Sequence, residues 1–399
     1  MSKSNETTPN VPTLRFKQFQ DNWSAKRLSD IAEVVGGGTP DTTDSTLWNG
    51  GIQWFTPTEV GHSKYVSMSV RTISQLGLQK SSAKILPAGS ILLSSRATVG
   101  ECSITQQDCT TNQGFQNLTP KKGINNEFLY YLAQTKKRHF IKYASGSTFL
   151  EISNSEIKKT KCAVPGIEEQ TKIATFLSAI DKKIEVQNKI ISDLKVLKKE
   201  LCNKLFNSSH CDKTIEIRQV ADIYGGYAFN SKAYISDGKY KIVTIGNVTG
   251  DKYISGDYNR IDILPDNIQE QQILNNGDIL ISLTGNVGRI SIVNGDNYLL
   301  NQRVAKLNIK NNLIKAYIYQ YLSNSSFEKD MSNAGQGAAQ KNIKNEDILS
   351  YNIRIPTSQT YLEKIDGLLS TYDKLIADEE RFLLNLNLQK SFLLNAMFI

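Results

Sequence analysis

The feature that most constrains this chain is that one plan runs through it twice. The stretch Leu86 to Leu93 returns as Leu274 to Ile281, and Val99-Gly100 returns as Val287-Gly288. Asn112-Gln113 returns as Asn301-Gln302, and Tyr131-Leu132 as Tyr321-Leu322. Each copy closes on a helical stretch of roughly forty residues, and these two stretches match best. Such a sequence cannot describe one core with decorations. It describes two diverged units, each followed by a similar long helix, in an arrangement with internal two-fold character.

The helices are the clearest reading. Ile173, Leu177, Ile180, Ile184, Gln187, Ile191, Leu194, Lys198, Leu201 and Leu205 follow an alternating four-three spacing. Ile365, Leu369, Tyr372, Ile376, Glu379, Leu383, Leu386, Lys390, Leu393 and Met397 repeat it, every position displaced by 192. That is the seam of a coiled coil. The polar interruptions coincide too, Gln187 with Glu379 and Lys198 with Lys390. A polar seam residue costs stability but fixes register. An antiparallel pairing that keeps seam positions facing sets Lys198 opposite Glu379 and Gln187 opposite Lys390. Each helix should measure ~55–60 Å at 1.5 Å per residue, against ~34–36 Å for one turn of DNA. A pair of that length can hold two readers on separate half-sites, so the seam acts as a ruler.

Between the helices the chain reads as mixed and strand-rich, punctuated by Gly, Pro, Asn and Ser. Residues 1–12 read as a frayed tail. In the first copy Ile85-Leu86 and Ile91 to Leu93 read as strands, and Asn126 to Tyr143 as a helix burying Phe128, Leu129, Leu132 and Phe140. In the second, Lys241 to Ile245, Ile279 to Leu283 and Arg289 to Val293 read as strands and Leu313 to Leu322 as the equivalent helix. The fold class is therefore α+β, with two strand-rich domains joined by two long helices in an antiparallel coiled coil. The boundaries are 13–164 and 209–356 for the domains, and 165–208 and 357–399 for the helical spacers.

The net charge is +8, with 18 basic against 12 acidic residues in 1–160 but 16 against 15 in 207–355. A modest excess permits a polyanionic partner. No run approaches the ~18 apolar residues of a membrane span, and the polar start lacks a signal-peptide core. The five cysteines (Cys102, Cys109, Cys162, Cys202, Cys211) lack metal-ligand spacing. They read as free thiols of a reducing cytosol, with no metal expected even at His210-Cys211.

A search for chemistry finds little. There is no Asn/Asp-Pro-Pro-aromatic tetrapeptide of the amino-methyltransferases and no phosphate loop. Gly36-Gly37-Gly38-Thr39 reads as a flexible loop. Pro40-Asp41 and Glu156-Ile-Lys158 are too far apart in sequence to suggest a nuclease centre. Base reading needs hydrogen-bonding forks on loops. Ser94-Ser95-Arg96-Ala97-Thr98 and Ser282-Leu283-Thr284-Gly285-Asn286 carry unlike centres between like flanks, as one scaffold reading two half-sites requires. Arg96 suits guanine and Asn286 suits adenine. Ser145-Gly146-Ser147-Thr148 pairs with Ala334-Gly335-Gln336-Gly337, where glycine lets amides approach phosphates. Trp54-Phe55-Thr56-Pro57-Thr58 pairs with Thr244-Ile245-Gly246-Asn247, with Trp54 and Phe55 in the core and Thr56, Thr58 and Asn247 towards DNA. Lys136-Lys137-Arg138 reads as a solvated basic face.

The stretch from Pro165 through Glu168-Glu169-Gln170 to Ile184 resembles the conserved region of type I restriction–modification specificity subunits. So do Asn387 to Phe398, the opening Pro12 to Phe16, Trp23, and Leu28 to Ile31. The resemblance covers nearly the whole chain. In the second copy Pro356-Thr-Ser-Gln359-Thr360 departs from the family's Pro-x-x-Glu-x-Gln, which puts the helix cap there in question. The resemblance implies two target-recognition domains, each reading one half of a bipartite DNA sequence, and two spacer helices that dock two methyltransferase subunits. Those subunits use S-adenosylmethionine to methylate adenine. Two restriction subunits add ATP- and Mg-dependent translocation and cleavage. The resemblance implies that this chain supplies the address, with no cofactor or catalytic residue of its own. The rival reading from the residues is a coiled-coil scaffold without sequence-specific DNA binding. A nuclease or methyltransferase acting alone is the other.

Overall fold

The computed structural model describes residues 11–146, 150–335 and 341–399. Of the tail expected over residues 1–12, residues 1–10 lie outside these. Pro12 is buried and Thr13 and Leu14 are already tied down, the Leu14 amide donating to the Ala396 carbonyl at 2.9 Å. The chain divides into two compact units: one runs to Val186 and includes Leu383–Ile399, the other is Gln187–Phe382. Both long helices pass through this division, as Ile167–Phe206 and Gln359–Met397.

In the first unit a five-stranded sheet has the order Ala32–Gly36, Gln116–Pro120, Ile91–Leu93, Cys102–Thr105, Tyr65–Val66. Ile91 to Leu93 are buried on both faces, which accounts for their continuous apolar run. Ile85-Leu86 does not extend into a strand; Leu86 makes only an isolated bridge with Cys109. A three-stranded sheet (Arg71–Ile73, Trp48–Phe55, Cys109–Thr111) completes the domain. The expected helix over 126–143 is broken at Lys136 into Asn126–Thr135 and Lys137–Tyr143. Asn125 caps it by accepting from the Phe128 amide at 2.9 Å.

The second unit repeats this with a four-stranded sheet in the order Ala221–Gly225, Val304–Ile309, Ile279–Ser282, Ile290–Ile292. A second sheet contains Tyr240–Val243 beside Tyr298–Leu300, and Asn312–Leu322 forms the equivalent helix. Each unit also carries an antiparallel two-strand clasp leading into its long helix: Ser24–Arg27 with Lys161–Val164, and Lys213–Glu216 with Asn352–Ile355.

Within each unit the helices pack antiparallel along the seam. In the first, Ile173, Leu177 and Ile180 join Leu393, Met397 and Phe398 in one core, with Ile184 against it. In the second, Leu201 and Leu205 pack onto the core that contains Leu362, Ile365 and Leu369. Ile191, Ile376 and Leu386 are buried, while Leu194 and Leu383 are partly so.

The register differs from the expected one. Lys198 pairs with Asp373, not Glu379, and Lys390 pairs with Asp181 at 2.7 Å, not with Gln187. Gln187 instead donates to Glu379, 2.5 Å to Oε2 and 3.1 Å to the backbone carbonyl. The reason is electrostatic. Asp181 and Asp373 have side chains only 16% and 8% exposed, and an unpaired carboxylate at such depth is costly. The observed register gives each a lysine. Under the 192-residue offset the two ion pairs are equivalent, and Gln187 meets its own counterpart.

Candidate nucleic-acid interface

The loops singled out above are joined by backbone hydrogen bonds within each domain. In the first, Ser95 donates to the Gly114 carbonyl (2.8 Å) and accepts from the Ile152 amide (3.0 Å). Gly38 donates to Thr111 (2.8 Å), and Thr39 hydrogen-bonds Gln113. A Cβ on Gly37 would lie 2.0 Å from the Asn112 carbonyl, so only glycine fits. The Gly36–Thr39 segment is thus a packed wall, not the flexible loop expected; Trp54 Nε1 also donates to the Gly38 carbonyl at 2.8 Å.

The second domain reproduces the frame. Leu283 donates to Arg303 and accepts from Ile343, both at 3.0 Å, while Gln302 donates to Tyr227 at 3.0 Å. A Cβ on Gly226 would meet the Asn301 carbonyl at 2.0 Å. The loop apex has positive φ in both copies, +63° at Ala97 and +75° at Gly285. In this frame Arg96 corresponds to Thr284 and Thr98 to Asn286.

The predicted contacts divide on burial. Arg96 is about two-fifths exposed; its Nε and Nη2 donate to Glu151 Oε2 at 3.0 and 2.7 Å. That clamp leaves Nη1 uncommitted to Glu151, a partner that the sequence did not reveal. Thr98, Asn286 and Thr58 are exposed. Thr56 is half-buried, donating to Glu59 Oε2 at 2.6 Å.

Three candidates are corrected by their surroundings. Ser94 is fully buried and spends its hydroxyl on the Arg96 carbonyl and Thr98 Oγ1, both 3.0 Å away. Thr284 is buried in a bridge to Asn342. Asn247 is 2% exposed. Its Oδ1 accepts from Thr244, and its Nδ2 donates to Ser255 and Asp257 carbonyls at 3.0 and 2.9 Å. The Ser94 and Asn247 side chains are consumed in building the loops, and Thr284 is withdrawn by burial. Ser147, Thr148 and Gln336 lie outside the described residues.

Basic groups line the first domain. Lys84, Lys121 and Lys158 surround a mainly polar cavity of about 490 Å³ that Gly36 and Asn154 also border. In the proposed basic face, Lys137 is paired with Glu101, and Lys136 donates to the Ile399 carbonyl at 2.7 Å. Arg138 remains exposed. No group of three or more metal-ligating side chains converges among the described residues.

Comparison with known proteins assigns this repeated architecture. The type I restriction modification DNA specificity domain matches twice, over residues 20–196 and 213–387. The chain belongs to the type I specificity family. A relative in that family is the type I restriction enzyme MjaIX specificity subunit of Methanocaldococcus jannaschii, 40% identical over 189 residues. That match covers 46% of this chain and 44% of the relative. The EcoR124I/EcoR124II specificity subunit of Escherichia coli is 27% identical, covering 42% and 43%. The chain thus matches less than half the length of these relatives. The MjaVIII specificity subunit of M. jannaschii aligns over 87% of this chain and 85% of its own length at 22% identity. The fold is shared with the S subunit of the M. genitalium type I system, with TM-score 0.54, 16% identity, and 98% and 99% coverage. A chain from a study of type I assembly and conformational transition has TM-score 0.59 at 15% identity, with 94% and 96% coverage.

The family's sequence marks acquire physical roles. Arg15 holds Glu169 at 2.7 Å, and Phe16 meets Phe176 edge-on at 5.8 Å. Gln170 accepts from the Asn125 amide (2.9 Å) and donates to the Pro165 carbonyl (2.9 Å), fastening the helix start to the domain. The second copy lacks Glu-Glu-Gln but fastens its helix otherwise. Thr357 is held by Asp212, Tyr361 stacks on His210 at 4.6 Å, and Leu362 is buried. Both copies combine polar and aromatic docking, but with different residues.

Proposed function

We propose that this chain is the DNA-addressing subunit of a type I restriction–modification enzyme, each domain reading one half of a bipartite site. The observation that carries this is the repeated loop frame. Its backbone bonds recur in both domains, while its exposed side chains differ: Arg96 and Thr98 in one, Asn286 in the other. Lysines and free amides hold phosphates without regard to sequence. The loop side chains select bases, and the helix seam sets the gap.

The same helices offer surfaces for partners. Leu384, Leu388 and Phe392 follow four-residue spacing on one face and are 57–64% exposed. Leu368, Leu375 and Phe382 follow seven-residue spacing, also exposed. Apolar stripes of this kind on a helix mark docking sites. Two methyltransferase subunits would occupy them and supply S-adenosylmethionine-dependent adenine methylation. Two restriction subunits would add ATP, Mg and cleavage. This chain turns over no substrate in that scheme.

Methylation mapping of DNA from cells expressing this chain with its methyltransferase partners tests the reading. The expected result is methylated adenines in a single two-part motif, together with salt-sensitive binding of the purified complex. Methylation without a two-part motif contradicts it.

A further inference from the structure

Each unit carries a buried polar junction that loop reading and partner docking do not use. In the first, Lys64 leads into the strand Tyr65–Val66, and its carbonyl accepts from the Ile104 amide at 2.8 Å. Its Nζ, with the side chain 10% exposed, donates to Glu127 (3.0 Å), Tyr131 Oη (3.1 Å) and Ser178 Oγ (2.6 Å). Tyr131 in turn donates to Asp181 Oδ2 at 2.5 Å, and Asp181 Oδ1 receives Lys390 at 2.7 Å. One chain of contacts therefore runs from the edge of the recognition sheet through its helix to both spacer helices.

The second unit builds the same junction from different residues. Lys252 precedes Tyr253 as Lys64 precedes Tyr65, and its carbonyl accepts from Ile292 at 2.8 Å. Asp373, 192 residues after Asp181, takes Lys198 on one oxygen and Gln320 Nε2 on the other at 2.7 Å; Lys252 stands 3.9 Å away. Gln320 stands where Tyr131 does, one residue off the sequence match between Tyr131 and Tyr321. The aromatic contacts agree: Phe398 stacks on Phe128 at 5.2 Å, and its counterpart Phe206 packs on Tyr317 at 5.5 Å.

We propose that these aspartate-centred junctions are latches that fix the angle of each recognition domain on the spacer helices, and so select the permitted gap between half-sites. This deepens the proposed function and rests on it. Apolar packing resists separation but tolerates small rotations. A charge-assisted network at the junction of sheet, domain helix and both spacer helices is directional. It recurs although the donor changes from tyrosine to glutamine. The latch residues position the domain and touch no base.

The test uses the full complex with its methyltransferase subunits and duplexes whose gap varies by single base pairs. Wild type should modify one gap. Asp181→Asn and Asp373→Asn should keep both half-site sequences. Their kcat/KM for gaps one base pair longer or shorter, relative to the native gap, should rise about tenfold, the scale of one lost charge-assisted hydrogen bond. Tyr131→Phe, which removes a single hydroxyl, should move the ratio the same way. An unchanged gap ratio in assembled Asp181→Asn and Asp373→Asn complexes overturns the latch. Where an aspartate variant does not assemble, an unchanged ratio in Tyr131→Phe overturns it instead. If wild type favours no two-part site at all, the recognition reading itself falls.

Discussion

At the scale of single residues, Arg96 is the loop side chain that the proposed function sets against a base. Glu151 grips one edge of the guanidinium, so part of the arginine's freedom is already lost within the protein. Replacing Arg96 by Ala should relax selection at one position of one half-site, by about 1–3 kcal/mol, and leave the other half-site untouched in methylation mapping. Equal loss at both would mark a general folding defect. Glu127 gives a pH prediction. Burial works to raise its pKa, but hydrogen bonds from Ser178, Tyr65 and Lys64 outweigh it and hold the carboxyl below its ordinary range. Its stabilising contribution is therefore complete above the unfolded carboxylate pKa and is lost as pH falls through the lower folded value. Thermal melts should show Glu127→Gln losing stability at neutral pH and converging on wild type in acid. Sequence pattern could not distinguish Arg96 from Asn247: both are polar loop residues, and only the carbonyls of Ser255 and Asp257 reveal that Asn247 is consumed internally.

At the scale of elements, the long helices were legible because their apolar period is local and repeats at a fixed offset. Leu177 and Leu369, counterparts in that repeat, are both fully buried. Truncating either to Ala should cost about 2–5 kcal/mol, seen as a lower midpoint in denaturant melts of the complex. A loss below about 0.5 kcal/mol, ordinary for surface sites, would contradict the seam assignment. Register was not legible for the opposite reason. It depends on which carboxylate a lysine meets nearly two hundred residues away, and Asp181 and Asp373 look like solvated positions beside the seam. Their recurrence 192 residues apart was the available signal, as was Lys64-Tyr65 with Lys252-Tyr253. Helix ends depended on context as well: the second helix is fastened without the Glu-Glu-Gln that marks the first.

At the scale of the molecule, duplication turns local facts into an architecture. The backbone bonds of the loop frame at Ser95 recur at Leu283, and the ion pairs Lys198–Asp373 and Lys390–Asp181 are one contact stated twice. Gln187 meeting Glu379 marks the point where the repeat meets itself. If the helices set the gap, lengthening both there must change it. Seven residues inserted after Gln187 and seven after Glu379 preserve the seam and add about 10 Å at 1.5 Å per residue. Methylation mapping of the variant complex is the direct measurement. Both half-sites should stay as they were while the gap grows by up to about three base pairs, at 3.4 Å each. An active variant that keeps the original gap would contradict the account.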